Sequence, residues 1–364
     1  MFYLGSRWVR DEMQWDKRSL VTRTRTYTAV FTGLRIKKLR RGRRIMRQRI
    51  IDFHCDVLYK MLYEGKLDFM SKDALDITLP RMQAGQVGMQ VFAVFLEEAL
   101  ISGQPQFSQI LRCIDLLRER ICSLPDVSLI RWREDVEHWE RSPQLTGALL
   151  SIEGADGLEG DMVYVRTAYE LGVRFLGLTW NHSNWAVDGT MEPRQAGFTN
   201  KGRQLIRECD KLGILVDVSH LNERAFWELL ELTERPVFAS HSNSAHVRKH
   251  PRNLSDEQIK AIIDRNGRIG ITFVPAFIED SQQVTIEHLL RHIDRICELG
   301  GEQHIMFGSD FDGIDDKVQG LEHAGQYGNL LETIERRYSS EFVNRIAHSN
   351  ALQFLKTNLP AREG

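Results

Sequence analysis

Short, apolar, β-branched runs recur along this chain from residue 50 onward, each bounded by glycine, proline or polar residues. They are IIDFH (50–54), VGMQVFAVFL (87–96), LTGALLSIEG (145–154), VRFLGLTW (173–180), GILVDVSH (213–220), PVFASH (236–241), GRIGITFV (267–274) and HIMFGSDF (304–311). Between them lie segments whose apolar residues follow helical spacing, among them 107–121, 199–213, 255–267 and 286–300. Ser255 with Gln258 makes a capping box for the third of these, and glycines close the last two. Strands that are apolar almost throughout are buried on both faces, which requires a parallel sheet covered by helices. Eight such units over roughly 250–300 residues match a closed (β/α)8 barrel of the TIM type, an α/β fold. A doubly wound open sheet is the alternative, but no GxGxxG follows the first strand.

The first 45 residues break this pattern. They hold 13 Lys/Arg against 3 Asp/Glu, with neither a helical stripe nor a clean alternation. They read as a basic extension over 1–45, disordered or not part of the fold, ahead of a barrel domain over 46–364. A targeting peptide is the other reading, since arginine is common and acid rare, although a secretory apolar core and cleavage site are missing. The whole chain carries a net charge of −2, which gives no electrostatic footprint for nucleic acid or membrane. Five scattered cysteines (Cys55, Cys113, Cys122, Cys209, Cys297) without a CxxC predict reduced thiols and a cytoplasmic protein. No apolar run is long enough to span a bilayer, and the polar ending NLPAREG argues against a lipid anchor.

Polar residues are concentrated at the carboxyl ends of the apolar runs, where barrel active sites are built. His54, Cys55 and Asp56 end the first run, Glu153 the third, His220 the fifth, His241 the sixth and Asp310 the eighth. Strand alternation sends Cys55 to the face opposite His54 and Asp56, so it reads as packing. A lone histidine at a strand end is an ordinary hydrogen-bonded residue. Several strand-end ligands buried together without a cation would cost several kcal/mol each, and imidazoles with carboxylates suit zinc. Five such ligands exceed what one open catalytic zinc uses, and two ions sharing a carboxylate, with Glu153 as the natural bridge, accommodate them.

The runs IIDFHCDVL, SIEGADGL, GILVDVSH, FASHSNSAHVRKHPRNLSDEQ and FGSDFDGI resemble the membrane (renal) dipeptidase family, peptidase family M19, over about residues 49–355. The resemblance implies an amidohydrolase-like (β/α)8 barrel holding two Zn2+ per chain and hydrolysing free dipeptides through a metal-activated bridging hydroxide. It implies that His54 and Asp56 hold one zinc, His220 and His241 the other, and Glu153 bridges them. Asp310 matches the acid/base carboxylate, and Arg252 matches the arginine that grips the substrate carboxylate. Many members have a histidine directly after the LT of the fourth strand. Here the strand reads LTWNHSN, so Trp180 stands there and His182 follows two residues later. Either His182 supplies that catalytic function from a shifted loop, or this subgroup manages otherwise. Asp312 and Asp315 serve to shape their loop, while Trp180, Trp185 and DGTMEP (188–193) are candidates to line the side-chain pockets. Tolerance for a D-residue at the C-terminal position and formation of a homodimer are left open. Another amidohydrolase-type reaction, a cyclic amide hydrolase or a deaminase, is the alternative on the same barrel. Against it, no lysine ends the fourth strand to serve as a carboxylated bridge. A non-catalytic metal-binding protein is the third reading, and Asp310 argues against it.

Overall fold

The computed structural model describes residues 49–66, 68–71, 75–97 and 106–362; the basic extension expected over residues 1–45 lies outside the described residues. The strands are β1 (Ile50–Asp52), β2 (Val87–Phe95), β3 (Val127–Leu129), β4 (Thr146–Glu153), β5 (Val173–Gly177), β6 (Leu215–Asp217), β7 (Phe238–Ala239), β8 (Arg268–Ile271) and β9 (Ile305–Phe307). Parallel pairing runs β1–β2–β4–β5–β6–β7–β8–β9, and Asp52 opposite Phe307 joins β9 back to β1. Eight parallel strands therefore close a ring, with helices on the crossovers, as the alternating pattern predicts.

β3 is a ninth strand that the apolar pattern does not show. It pairs with residues 146–148 of β4, on the edge that β5 occupies from Leu150 onward. Only Val127 of its three residues is buried, so VSL leaves too little apolar signature to be read as a strand. The capping box forms as expected: Ser255 Oγ accepts from Gln258 N at 3.2 Å, and Gln258 Oε1 accepts from Ser255 N at 2.9 Å. The two expected helix-ending glycines differ. Gly300 takes φ +87 after the helix Ile286–Glu298, whereas Asn266 (φ +53), not Gly267, takes the left-handed turn after Asp256–Asp264. Gly267 is needed for space, since a Cβ there would lie 2.0 Å from Val237 O.

Inward-facing side chains fill the barrel's lower half. Phe53 stacks on Phe175 at 5.6 Å, with Phe238 5.9 Å away edge-on. The helix Asn350–Asn358 closes the N-terminal mouth, placing Phe354 5.7 Å from Phe238 and 6.3 Å from Phe53. Asn350 Nδ2 donates to Glu302 O and Ile305 O, and Arg268 Nε donates to Asn350 O, which ties this helix to β8 and β9. Cys55 is buried in the outer core between barrel and helices, away from the inward-facing Phe53, because β1 ends at Asp52 and strict alternation stops there. Because the floor is packed, chemistry is confined to the opposite, C-terminal mouth. No helix among the described residues is long and apolar enough to cross a membrane.

One buried histidine makes acid stability testable. His292, on Ile286–Glu298, accepts from Ser244 N at Nδ1 (3.1 Å) and donates from Nε2 to Ile278 O (3.0 Å). Burial lowers its pKa from 6.5 to about 4, so the folded protein holds it neutral. Between those values the unfolded chain binds a proton that the folded chain refuses, and stability falls as pH drops through that window. The contribution amounts to about 3 kcal/mol at the acid end. His292→Gln is expected to be less stable at neutral pH, yet to lose less on acidification from pH 6.5 to 4. Urea unfolding of both proteins across that range checks this, and parallel stability–pH curves would exclude it.

Candidate active site

The C-terminal mouth collects the strand-end residues by simple continuation of the strands. His54 and Asp56 follow β1, Glu153 ends β4, His220 follows β6, His241 follows β7 and Asp310 follows β9. His54 Nε2 lies 3.4 Å from Asp56 Oδ2, 3.6 Å from Glu153 Oε2 and 3.8 Å from Asp310 Oδ1. The other oxygen of Glu153, Oε1, lies 2.8 Å from His220 Nε2 and 3.5 Å from His241 Nε2. The structure thus brings the six residues together, with the Glu153 carboxylate between two groups of side chains.

Hydrogen bonds around the two later histidines fix which nitrogen faces the centre. Asp217 accepts from the Ser240 hydroxyl, leaving Ser240 Oγ to accept from His241 Nδ1 at 2.7 Å. Asn181 Oδ1 accepts from His220 Nδ1 at 3.1 Å. With both Nδ1 atoms protonated, both Nε2 atoms carry lone pairs, and they face each other at 3.0 Å beside Glu153 Oε1. Acceptors converging so closely repel unless a cation lies among them. His54 Nε2 and Asp56 Oδ1 are also buried without a hydrogen-bond partner. This donor set fits divalent metal ions.

The electrostatics agree. Burial alone would lower the His54 pKa, but Glu153, Asp56 and Asp310 raise it to about 10, the mark of a site with excess negative charge. Burial raises the Glu153 and Asp310 carboxyls, with His54 opposing. Burial, with the positive charges of Arg252 and His54, drives His220 and His241 well down and keeps them neutral, as metal ligation requires.

Glycines and buried acids hold this geometry. A Cβ on Gly270 or Gly308 would lie 1.9 or 1.7 Å from Ser240 O, so both glycines make room for the residue that orients His241. At Gly313 a Cβ would meet Asp56 Oδ2 at 2.2 Å and Asp310 Oδ1 at 2.6 Å. Asp310 and Asp312 adopt φ +65 and +68, conformations costing of order 1 kcal/mol that concentrate at functional sites. Asp52, fully buried, accepts from His54 N, Ser309 N and Tyr327 Oη, clamping the ends of β1 and β9 together. Asp312 accepts from the Asp76 and Ile77 amides, the loop-shaping part expected of it.

A cavity of about 430 Å³ opens above the cluster. Arg252 enters it almost fully buried; its Nη2 contacts His220 Nε2 at 3.1 Å, while Nε and Nη1 have no partner. Trp180, Met191 and Asp315 line the cavity. His182 does not: its side chain is exposed, and its carbonyl accepts from Thr179 Oγ1 and Gly189 N. The preceding residue, Asn181, turns inward instead. Trp185 is likewise outside the lining, its indole donating to Ala155 O. Sequence reasoning missed Tyr59, Phe95, Glu97 and Asn181 in the lining and Asp52, Asp217 and Ser240 beneath the histidines. Only the loop and strand crossings reveal them.

The membrane dipeptidase family (peptidase family M19) matches residues 39–362 of this chain. The chain is 30% identical over 326 residues to dipeptidase tcpJ of Claviceps purpurea, covering 84% of this chain and 76% of that protein. To an uncharacterised dipeptidase of Schizosaccharomyces pombe it is 29% identical over 328 residues, covering 85% and 80%. Among solved structures it resembles dipeptidase AC, a metallopeptidase of family M19, with a TM-score of 0.79 and 25% identity, covering 86% of this chain and all of that one.

Proposed function

This chain belongs to the membrane dipeptidase family, peptidase family M19, and from that premise we propose that it is a zinc-dependent enzyme cleaving free dipeptides. As a family member it is a metallopeptidase that hydrolyses peptide bonds. The restriction to two residues is carried by one observation: the buried guanidinium of Arg252, unpaired at Nε and Nη1 within the catalytic cavity. A buried cation with open donors calls for an anion, and the free carboxylate of a two-residue substrate matches its fork. An unsubstituted cyclic amide or a nucleobase brings no such group.

His54 and Asp56 would hold one zinc ion and His220 and His241 a second, with Glu153 shared. When bound, such ions acidify water to supply a nucleophile at neutral pH and polarise the scissile carbonyl. Asp310, beside His54 at the rim of the cluster, takes the proton of the attacking water and delivers it to the leaving amine nitrogen. Arg252 holds the C-terminal carboxylate, so the peptide bond is presented to Asp310 in one register. Asn181 fixes His220, and Trp180 forms a cavity wall. The exposed side chain of His182 leaves it without a part in this scheme. Cysteines that are all free fit a reducing, cytoplasmic location.

A double cycle tests the Arg252 assignment. Amidating the C-terminus of a good dipeptide removes a charge-assisted pair, roughly 1.5–3 kcal/mol, or about one to two decades in kcat/KM. Arg252→Met is expected to lose a similar amount on the free dipeptide and almost nothing further on the amide. Arg252→Lys should recover only part. Strictly additive losses at fixed metal loading would show that Arg252 does not touch the carboxylate, and a wild-type enzyme indifferent to amidation would favour the cyclic-amide or deaminase reading.

A further inference from the structure

The ring order of the barrel places two opposite charges across the mouth from each other. Counting around β1–β2–β4–β5–β6–β7–β8–β9, β2 and β7 stand four strands apart and are therefore diametrically opposed. Arg252 lies in the segment that follows β7, and Glu97 lies two residues past the end of β2. Both line the same cavity, with Glu153, His220 and His241 also in its wall.

Glu97 shares the cavity wall with three aromatic rings. Phe95 lies 5.7 Å from Tyr59 and 5.1 Å from Trp180, ring centre to ring centre, and all three line the cavity. Tyr59 Oη donates to Glu97 Oε2 at 2.7 Å, fixing the carboxylate beside the Tyr59 ring. That hydrogen bond pushes the Tyr59 phenol up to about 12, so it remains a donor. Among the described residues no basic side chain forms an ion pair with Glu97; the neighbouring Lys60 is engaged by Glu64 at 2.9 Å. Aromatic faces around a carboxylate attract cationic nitrogen, through ring quadrupole and charge together.

We infer that Tyr59, Phe95, Glu97 and Trp180 form a subsite for a cationic nitrogen on the N-terminal residue of the substrate, across the metal ligands from Arg252. The inference rests on the dipeptidase reading and adds a second charge requirement to it. Two groups on that residue carry the required chemistry: the α-ammonium, present in every free dipeptide, and the side chain of lysine or arginine. A zwitterion held at both ends would span the mouth with its peptide bond over the cluster, which explains a preference for chains of two residues from both directions.

The test uses the full-length, metal-loaded enzyme, with Glu97→Gln and Tyr59→Phe, against norleucyl-leucine, lysyl-leucine and the desamino analogue hexanoyl-leucine, the last as a competitive inhibitor. If the α-ammonium is the ligand, Glu97→Gln loses roughly ten- to a hundredfold in kcat/KM on both dipeptides, and the Ki of hexanoyl-leucine is unchanged. If the side chain is the ligand, that loss falls on lysyl-leucine alone. Either result supports the subsite. Tyr59→Phe, which removes only the hydroxyl that orients Glu97, is expected to show the same substrate pattern at a smaller size. Should Glu97→Gln fold poorly, shown by a lowered thermal midpoint, Tyr59→Phe carries the decision. A wild-type enzyme that cleaves both dipeptides, with variants that match it on each of them, overturns the inference alone. A wild-type enzyme that cleaves neither removes the dipeptidase reading, and the inference with it.

Discussion

Asp310→Asn is expected to lower kcat by about two to four decades, the usual contribution of a positioned acid/base group, while metal content and KM stay near wild type. Asparagine keeps the size and hydrogen-bonding reach of the side chain but cannot carry a proton between water and the leaving amine. The backbone cost is already met in this conformation, because asparagine tolerates positive φ as aspartate does. The Asp310 amide donates to His54 O at 3.2 Å, an interaction the substitution leaves intact. Steady-state kinetics combined with metal analysis of the same sample checks this. A variant within tenfold of wild type in kcat, at full metal loading, would remove Asp310 from the proton-transfer role.

Glu153→Gln is expected to release both metal ions together and to lower kcat/KM on the order of a thousandfold, since metal assistance supplies several kcal/mol. Its two oxygens face different groups, Oε2 toward His54 and Oε1 toward His220 and His241, so losing it disturbs both. An amide presents one oxygen and one NH2, and the NH2 would face a cation. Ser240→Ala provides the contrast. It leaves all five proposed ligands in place but removes the hydroxyl between Asp217 and His241 Nδ1, and supporting contacts of this kind alter metal affinity by about 10- to 100-fold. Metal titration of wild type, Glu153→Gln and Ser240→Ala should therefore show two, near zero and a weakened second equivalent. A single ion in wild type, insensitive to Glu153→Gln, would exclude the shared-carboxylate arrangement.

The parts of this site that were legible in the sequence are those where a polar residue interrupts an apolar run. His54, Glu153, His220, His241 and Asp310 stand out because a buried strand ends in a group that water or a metal must satisfy. Asp52 and Asp217 are equally polar and end their strands, but beside local contacts to His54 N and Ser219 their partners lie far along the chain: Ser309 and Tyr327 for one, Ser240 for the other. Ring closure creates those contacts, and nothing local announces them. The same limit explains His182. The motif sets the loop after β5 but not its twist, and the structure turns Asn181 toward His220 while His182 faces solvent. β3 escaped for a different reason, since it borrows the lower edge of β4 instead of burying an apolar run of its own.

The helix Asn350–Asn358, which caps the barrel floor, has a bearing on how the chain is made. The inner aromatic group spans Phe53 to Phe354, and β1 finds its second neighbour only when β9 arrives. During synthesis the emerging barrel therefore stays an open sheet, with one face of Phe53, Phe175 and Phe238 uncovered, until almost the last described residue has left the ribosome. Pairings this distant in sequence are slow to form and expose apolar surface while they wait. Newly made chains should accordingly depend on chaperones for most of their elongation, and interruption after β8 should leave a fragment prone to aggregation, with the proposed metal ligands already translated through His241 but no floor beneath them.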